Sequence, residues 1–414
     1  MTGNQRTFDT GVAQSIARLP DPPRYWSYSS LKEVETCPRR YVLGHALFPD
    51  LWDGIGYPQL PYQAALFGSV VHDSLARIIA ALAQAGCFAT NSPGAVSVLR
   101  ELGGYSEVAR EALGRRLRKM EGNPRVDADR LTRIQEQLEA RIPEARTEIQ
   151  GYLQRLVLVP RGDGLPAVRT LETANPAGPD SRRTMGPGSH PEAPLRADSL
   201  RLAGRVDLLT VSADQADIAD HKTGAEDPSH FEQLRLYALL WDQDNVANPA
   251  HVPLARLVAS YPTHDVAIPA PDKEELRGLA ESTAVRVAAA DHEVAADRPS
   301  ATTGEHCKMC GVRSICHDYW QKAPIGQNLL PDDDWLDYDG VVGEQVGARS
   351  WQLRGWPKGS PGLLLRVALS GRALTSGQHL RLLNVRRDDD PEVQELAATF
   401  TASSEAFVVT SETA

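Results

Sequence analysis

The stretches that decide this chain are GRVDLL at 204–209, IADHKTG at 218–224 and QLRLY at 233–237. The first two are apolar runs separated by eight residues, which predicts a β-hairpin. Asp207 falls near the end of one run, and Asp220 and Lys222 at the end of the other. Strand side chains alternate with period two, so Asp220 and Lys222 point to the same side of their sheet. Two carboxylates and an ammonium converging at a hairpin end make a small, strongly charged pocket. Such a pocket can hold a divalent metal and stabilise charge building up on a phosphate.

Hydrolysing a phosphodiester near neutral pH requires a more hydroxide-like water, a partner for the leaving oxygen and neutralisation of added charge. One or two Mg²⁺ or Mn²⁺ ions held by carboxylates serve all three. Mg²⁺ keeps several of its waters, so Asp207, Asp220 and the backbone carbonyl of His221 suffice as protein ligands. Lys222 is placed to orient the water or stabilise the transition state. Gln233 and Tyr237 lie four apart on a predicted helix and share a face. From there Gln233 can reach Lys222 or the scissile phosphate, and Tyr237 the nucleic-acid backbone. Upstream, FGSVVHDSL at 67–75 puts His72 early in a strongly helical segment. An isolated D-x-K or Q-x-x-x-Y is common, and a lone histidine on an apolar helix is usually a core residue. The ordered combination carries the weight.

That combination resembles the RecB-like branch of the PD-(D/E)xK nuclease superfamily. The resemblance rests on FGSVVHDSL with His72, GRVDLL with Asp207, DHKTG with Asp220 and Lys222, and QLRLY with Gln233 and Tyr237. It implies a restriction-endonuclease-like α/β core, a mixed β-sheet flanked by helices, over residues 25–320. It also implies His72 and Asp207 as metal ligands, Asp220 as ligand and base-orienting carboxylate, and Lys222 as the catalytic lysine. Relatives often carry a further Glu on the strand before the first Asp, and Glu192 in PEAPLRADSLRLAG is the match here.

Cys307, Cys310 and Cys316 form C-x2-C-x5-C, and Cys37 in TCPRRY is a distant fourth. Thiolates at this spacing suit a soft-metal site, either a [4Fe–4S] cluster or tetrahedral zinc. His306 and His317 flank the run and could complete a zinc set. One early cysteine followed by three late ones looks like the iron–sulfur nucleases, among them the AddB-type and CRISPR-adaptation exonuclease domains. That likeness implies a structural [4Fe–4S] cluster on Cys37, Cys307, Cys310 and Cys316, joining the two ends of the domain. Closing a loop of 270 residues would add folding energy as well. Cys87 lies outside the pattern and reads as a packed helix residue.

At 414 residues, two domains are the default. Residues 1–25 read as a polar lead-in and 26–322 as the nuclease domain. Within that domain, 97–158 is a helical insertion whose basic run Arg115, Arg116, Arg118 and Lys119 reads as a solvated helix face. Residues 160–194, rich in Gly, Pro and Ser, read as a flexible loop. A Pro- and Asp-rich linker at 323–334 precedes a small all-β module at 335–414, of oligonucleotide-binding (OB-like) or another small-barrel type. It offers Trp351, Arg354, Trp356, Lys358, Arg381, Arg386 and Arg387 to a single strand, or packs its tryptophans in a core. The net charge of -10 argues against coating nucleic acid by bulk electrostatics but leaves room for a local basic groove. No apolar run approaches the ~18 residues of a membrane span, and no signal-peptide layout is evident, which reads as cytoplasmic. The expectation is thus a metal-dependent DNA exonuclease on single-stranded ends, in DNA repair, recombination or defence against foreign DNA, beside a separate helicase. The competing expectation is a DNA-binding or scaffolding subunit with a little-used nuclease fold, and RNA as substrate stays open.

Overall fold

The computed structural model describes residues 18–160, 182–322, 334–367, 374–388 and 396–409. Helix α1 (Tyr28–Thr36) is capped by Ser27, whose hydroxyl takes the Ser30 N–H while the Ser30 hydroxyl answers the Ser27 N–H. Ser27 is the cap because the extended residue that precedes the first turn is the one free to reach its amides. An extended Cys37 then breaks the run, and α2 (Pro38–His45) restarts on a proline whose missing N–H costs nothing at that position.

The long helix α3 (Gln63–Gln84) leads into α4 (Ala95–Glu101), α5 (Tyr105–Arg118), α6 (Ala128–Glu139) and α7 (Ile142–Arg155). By length and composition α3 could cross a membrane, but Phe67, Val71, Leu75, Ile78 and Ile79 are spent on a core shared with α5 and α7. The basic run at 115–119 is only in part a solvated face. Arg118 and Lys119 are exposed, whereas Arg116 forks onto Asp73, the neighbour of His72, at 2.8 and 2.6 Å.

Five strands form the first sheet among the described residues: β1 (Gly188–Ala197), β2 (Leu202–Val211), β3 (Ala216–His221), β4 (Leu254–Ser260) and β5 (Asp265–Pro269), in that order. β3 and β4 run parallel, joined by α8 (Pro228–Gln243), and the other pairs are antiparallel. Leu234, Leu239, Leu240 and Trp241 of α8 bury against Val206, Leu209, Ile218 and Leu257 of the sheet, with α9 (Lys273–Val294) adding Val287 and Val294. The loop expected over 160–194 is corrected here. Its end, from Gly188, is strand β1, while 161–181 lies outside the described residues. β1 tolerates Pro191 and Pro194 because it is an edge strand, where a missing N–H breaks no second ladder.

After α10 (His317–Lys322), most of the expected linker lies outside the described residues. The second sheet comprises β6 (Trp335–Gly347), β7 (Ser350–Gly355), β8 (Leu363–Val367), β9 (His379–Asp388), β10 (Leu396–Phe400) and β11 (Glu405–Val408). Its order β10-β8-β7-β6-β9, together with a β9–β10 pairing, closes a five-stranded ring with one parallel pair, β8 and β10. That is an OB-like barrel. Tyr338, Leu353, Leu365, Leu382 and Phe400 fill it, while Trp335 and Trp356 stay exposed.

The barrel is bonded to the rest of the chain. Arg125, buried between α5 and α6, forks onto Glu405 at 3.0 and 2.7 Å and also donates to the Pro58 and Gly311 carbonyls. Arg313 donates to Asp337 at 2.8 Å and to Asn384 at 2.6 Å, and the Tyr319 hydroxyl reaches Asp337 at 2.7 Å.

Candidate active site

The hairpin β2–β3 sets Asp207 against Asp220. Its ladder ends at the pair Leu208 and Ala219, so the next residue on each side is an acid. There the backbone pairing gives way to a side chain: an Asp207 carboxylate oxygen takes the His221 N–H at 2.7 Å. On the other flank Pro191 pairs with Leu208 and Ala193 with Val206, which sets Glu192 opposite Asp207. Glu192 adopts φ 54°, a left-handed conformation that is costly for a residue with a Cβ. Three carboxylates therefore form a row across three adjacent strands.

Each member of the row has a cationic or hydrogen-bonding neighbour. His72 Nδ1 stands 3.3 Å from Asp207 Oδ2, and His221 Nδ1 stands 3.7 Å from the same oxygen. Lys222 Nζ lies 2.5 Å from Asp220 Oδ2 and donates to Gln233 Oε1 at 2.7 Å. Gln233 in turn donates to the Tyr237 hydroxyl at 2.7 Å. The spacing of Gln233 and Tyr237 on α8 thus builds a chain that fixes the lysine. Its amide is fixed as well, donating to the Ser260 carbonyl of β4.

Burial opposes ionisation of Asp207, but the hydrogen bond from His221 and the pull of His72 outweigh it and hold the carboxyl well below the usual range. Asp220, 2% exposed, behaves oppositely. Burial and the Asp207 charge push it up to about 6 against the pull of Lys222. Glu192 is pushed up to about 7, by burial first and then by Asp207, with Arg205 and His72 opposing. Burial would lower His72, yet its bond to Asp207 and the charges of Asp207, Asp220 and Glu192 raise it. Two carboxyls driven toward neutrality by burial and by the charge of a third are a donor set that a divalent cation relieves. Among the described residues no three His, Cys, Asp or Glu side chains are close-set as ligands to one ion. For Mg²⁺, which retains waters, Asp207 and Asp220 are enough, and the donor chemistry fits.

A family model described as the PD-(D/E)XK nuclease superfamily matches residues 25–317. The chain belongs to this superfamily. Phosphodiester hydrolysis assisted by divalent metals is the superfamily's chemistry, with DNA as substrate. No curated protein matches the chain. Among solved structures, one match is the tetrameric p202 HIN2, at 17% identity over 18% of this chain, with TM-score 0.16. Another is the p204 HINb domain, at 11% identity over 27% of this chain, with TM-score 0.17. The chain spans 42% and 56% of those two proteins, and likeness this small carries no argument.

In this PD-(D/E)XK chain several contributors escaped the sequence reading. The His221 ring, considered only for its carbonyl, packs edge-on to His72 at 6.2 Å and to Tyr152 at 5.3 Å. Tyr152 of α7 donates to the Lys222 carbonyl at 2.6 Å, and nothing in its local sequence signals that. The motif glycines carry a signal that can be read. A Cβ on Gly204 would stand 2.8 Å from Leu240 Cδ1 and 2.9 Å from Tyr237 Cε1, and one on Gly68 would stand 2.8 Å from Thr223 Oγ1. Each lets a helix come close to the strands that carry the acids.

The four cysteines of the expected cluster line one small pocket with Arg40, His306 and Tyr319. All are buried and none forms a disulfide. They are not drawn together as ligands, as the absence of any close-set triad among the described residues records. Burial pushes Cys316 up to about 11 and raises Cys310, so both thiols stay protonated until a cationic group enters. His306 lines the pocket with Nε2 on the Thr302 carbonyl at 2.8 Å, whereas His317 is exposed. Four thiols around one pocket fit the donor chemistry of an iron–sulfur cluster.

Proposed function

We propose that this chain is a DNA exonuclease acting on single-stranded ends with Mg²⁺ or Mn²⁺, and that it carries a structural [4Fe–4S] cluster in its cysteine pocket. The observation that carries the reading is Lys222, held between Asp220 and Gln233 at the edge of the carboxylate row. Asp207 and Asp220 would hold the cation, with His72 and Glu192 beside them. When bound, it would supply charge neutralisation at the phosphate and a lowered pKa for an attacking water. Lys222 keeps a fixed ammonium where water and phosphate meet, because Gln233 removes its freedom to swing away. Tyr237 is pushed up by burial and by the charge of Asp220, so it stays a neutral hydroxyl and can donate to a phosphate oxygen. The exonuclease mode, a separate helicase partner and a role in repair, recombination or defence against foreign DNA rest on the resemblance to RecB-like nucleases. The cluster rests on the four thiols sharing one pocket.

End-labelled single- and double-stranded DNA incubated with either metal tests the activity. The parent protein should release short products from single-stranded ends. Lys222→Ala should slow release by about 10²–10³-fold, the typical loss of one transition-state donor. Equal rates for both proteins would overturn the reading. Anaerobically purified protein should be brown and contain iron; stoichiometric zinc without iron would replace the cluster with a zinc site.

A further inference from the structure

Arg205 stands two residues before Asp207 on β2, and its side chain is 45% exposed. Its nearest acidic neighbour is Glu192, with Nη1 3.7 Å from Oε2, beyond hydrogen-bond distance. Other arginines around the row are spent on protein partners. Arg116 forks onto Asp73, Arg141 forks onto Glu144, and Arg155 binds the Gly151 and Pro262 carbonyls and Asp265. The Arg205 guanidinium makes no hydrogen bond among the described residues, although it offers five N–H donors in a fork that matches a phosphate. A phosphodiester approaching Glu192, Asp207 and Asp220 meets a row of negative charge in a protein of net charge -10. A local cation at the rim is what such an approach requires. Glu192 lies opposite Asp207 on the neighbouring strand, and its carboxyl draws Arg205 to within 3.7 Å of the row without saturating it.

We propose that Arg205 is a substrate-binding residue that grips a DNA backbone phosphate adjoining the carboxylate row. The inference rests on the nuclease reading and adds a named phosphate contact to it. A phosphate contact has a signature that a structural ion pair lacks: its loss lowers the salt dependence of binding by about one counterion.

The test measures the Kd of a fluorescent single-stranded oligonucleotide for the full chain. Ca²⁺ replaces Mg²⁺, and salt runs from about 50 to 200 mM. Arg205→Ala should weaken binding several-fold at low salt and reduce the slope of log K against log salt by roughly 0.7. Arg205→Lys should keep the slope. In cleavage assays KM should rise more than kcat falls. An unchanged slope overturns the proposal. So does a change confined to the Mg²⁺ concentration needed for half-maximal rate, which would mean that Arg205 only anchors Glu192. Thermal unfolding checks that the alanine variant folds, and Arg205→Gln, closer in size, repeats the slope measurement if it does not. Lys222→Ala separates this failure from that of the underlying reading. If the parent cleaves and Lys222→Ala binds without cleaving, a flat Arg205 result overturns only the phosphate contact. A parent protein that neither binds nor cleaves DNA overturns both.

Discussion

The carboxylate row and the cysteine pocket both gather residues far apart in the chain, yet they are held in different ways. In the row the two aspartates and the lysine have charged or polar partners within the site: Asp207 the His221 N–H and His72, Asp220 Lys222, and Lys222 Gln233. In the pocket no charged group among the described residues answers the thiols, which meet only backbone N–H groups, Gly304 on Cys307 at 3.5 Å, Val312 on Cys310 and Tyr319 on Cys316, while the surrounding frame is bonded by side chains. Tyr57 meets Ser314, Trp320 meets the Ser314 carbonyl, Arg125 meets the Gly311 carbonyl and Arg313 meets Asp337. The physical reason is the cost of burial. An unpaired buried charge is expensive, so a charged site must be assembled before its ligand arrives. A buried thiol behaves as a small hydrophobe and waits at little cost. Removing a charge from the row should therefore cost function more than stability, and removing part of the pocket or its frame should cost stability first.

The largest expected effect is on the row. Asp207→Asn keeps an oxygen for the His221 N–H but loses the charge, so cleavage should fall by about 10³-fold or more while Tm moves little. A large drop in Tm with measurable residual cleavage would erase the distinction between the two regions. Next comes the pocket's frame. Arg125→Ala leaves the buried Glu405 carboxylate with only Arg130, 3.6 Å away, and should cost up to ~3–5 kcal/mol in thermal or urea unfolding. A cost near zero would show that the barrel needs no such anchor. Below that lies Cys316→Ser, expected to remove the visible absorbance and about 2–3 kcal/mol of stability, with DNA binding retained in the protein that remains folded. Full stability together with loss of cleavage would make the pocket catalytic and reverse the contrast.

How far each region was legible follows the same division. The row could be read because strand period two and helix period four place Asp220 near Lys222, and Gln233 near Tyr237, from spacing alone. Asp207 needed only a hairpin. Glu192 was harder, because its Pro-rich setting reads as loop unless β1 is known to be an edge strand. Tyr152 was not legible: its hydroxyl reaches the Lys222 carbonyl across 70 residues of sequence, with no periodicity to announce it. Arg116 was read as solvated because nothing local reveals Asp73 on the facing helix. The barrel strands showed through alternation, but their closure into a ring depends on the parallel β8–β10 pairing, which no local pattern specifies. The buried Arg125–Glu405 pair spans 280 residues and was equally invisible.

The smallest expected effect asks how far the field of the row extends. Glu148 lies one helical turn before Tyr152 on α7, half-buried, with a carboxyl oxygen that is buried and has no hydrogen-bond partner. Burial first, then the Glu144 charge, push it up to about 7, against the pull of Arg141 and His72. A carboxyl raised on folding favours the folded state in its protonated form. That contribution is fully present below about 4.5, the unfolded value, and is lost as pH rises through about 7. Glu148→Gln stays neutral throughout, so its Tm relative to the parent should climb between pH 5 and pH 8 and flatten beyond. The gain should be no more than about 1 kcal/mol, because water reaches part of the side chain. His72 is also raised and titrates in an overlapping window, which is why the variant must be compared with the parent at each pH. Repeating the series in a His72→Ala background isolates the link to the row: losing the His72 cation should push Glu148 higher still and move the rise to higher pH. A Tm difference that is flat across the whole range would mean that the carboxyl is solvated and that the row's charges act only on their own members.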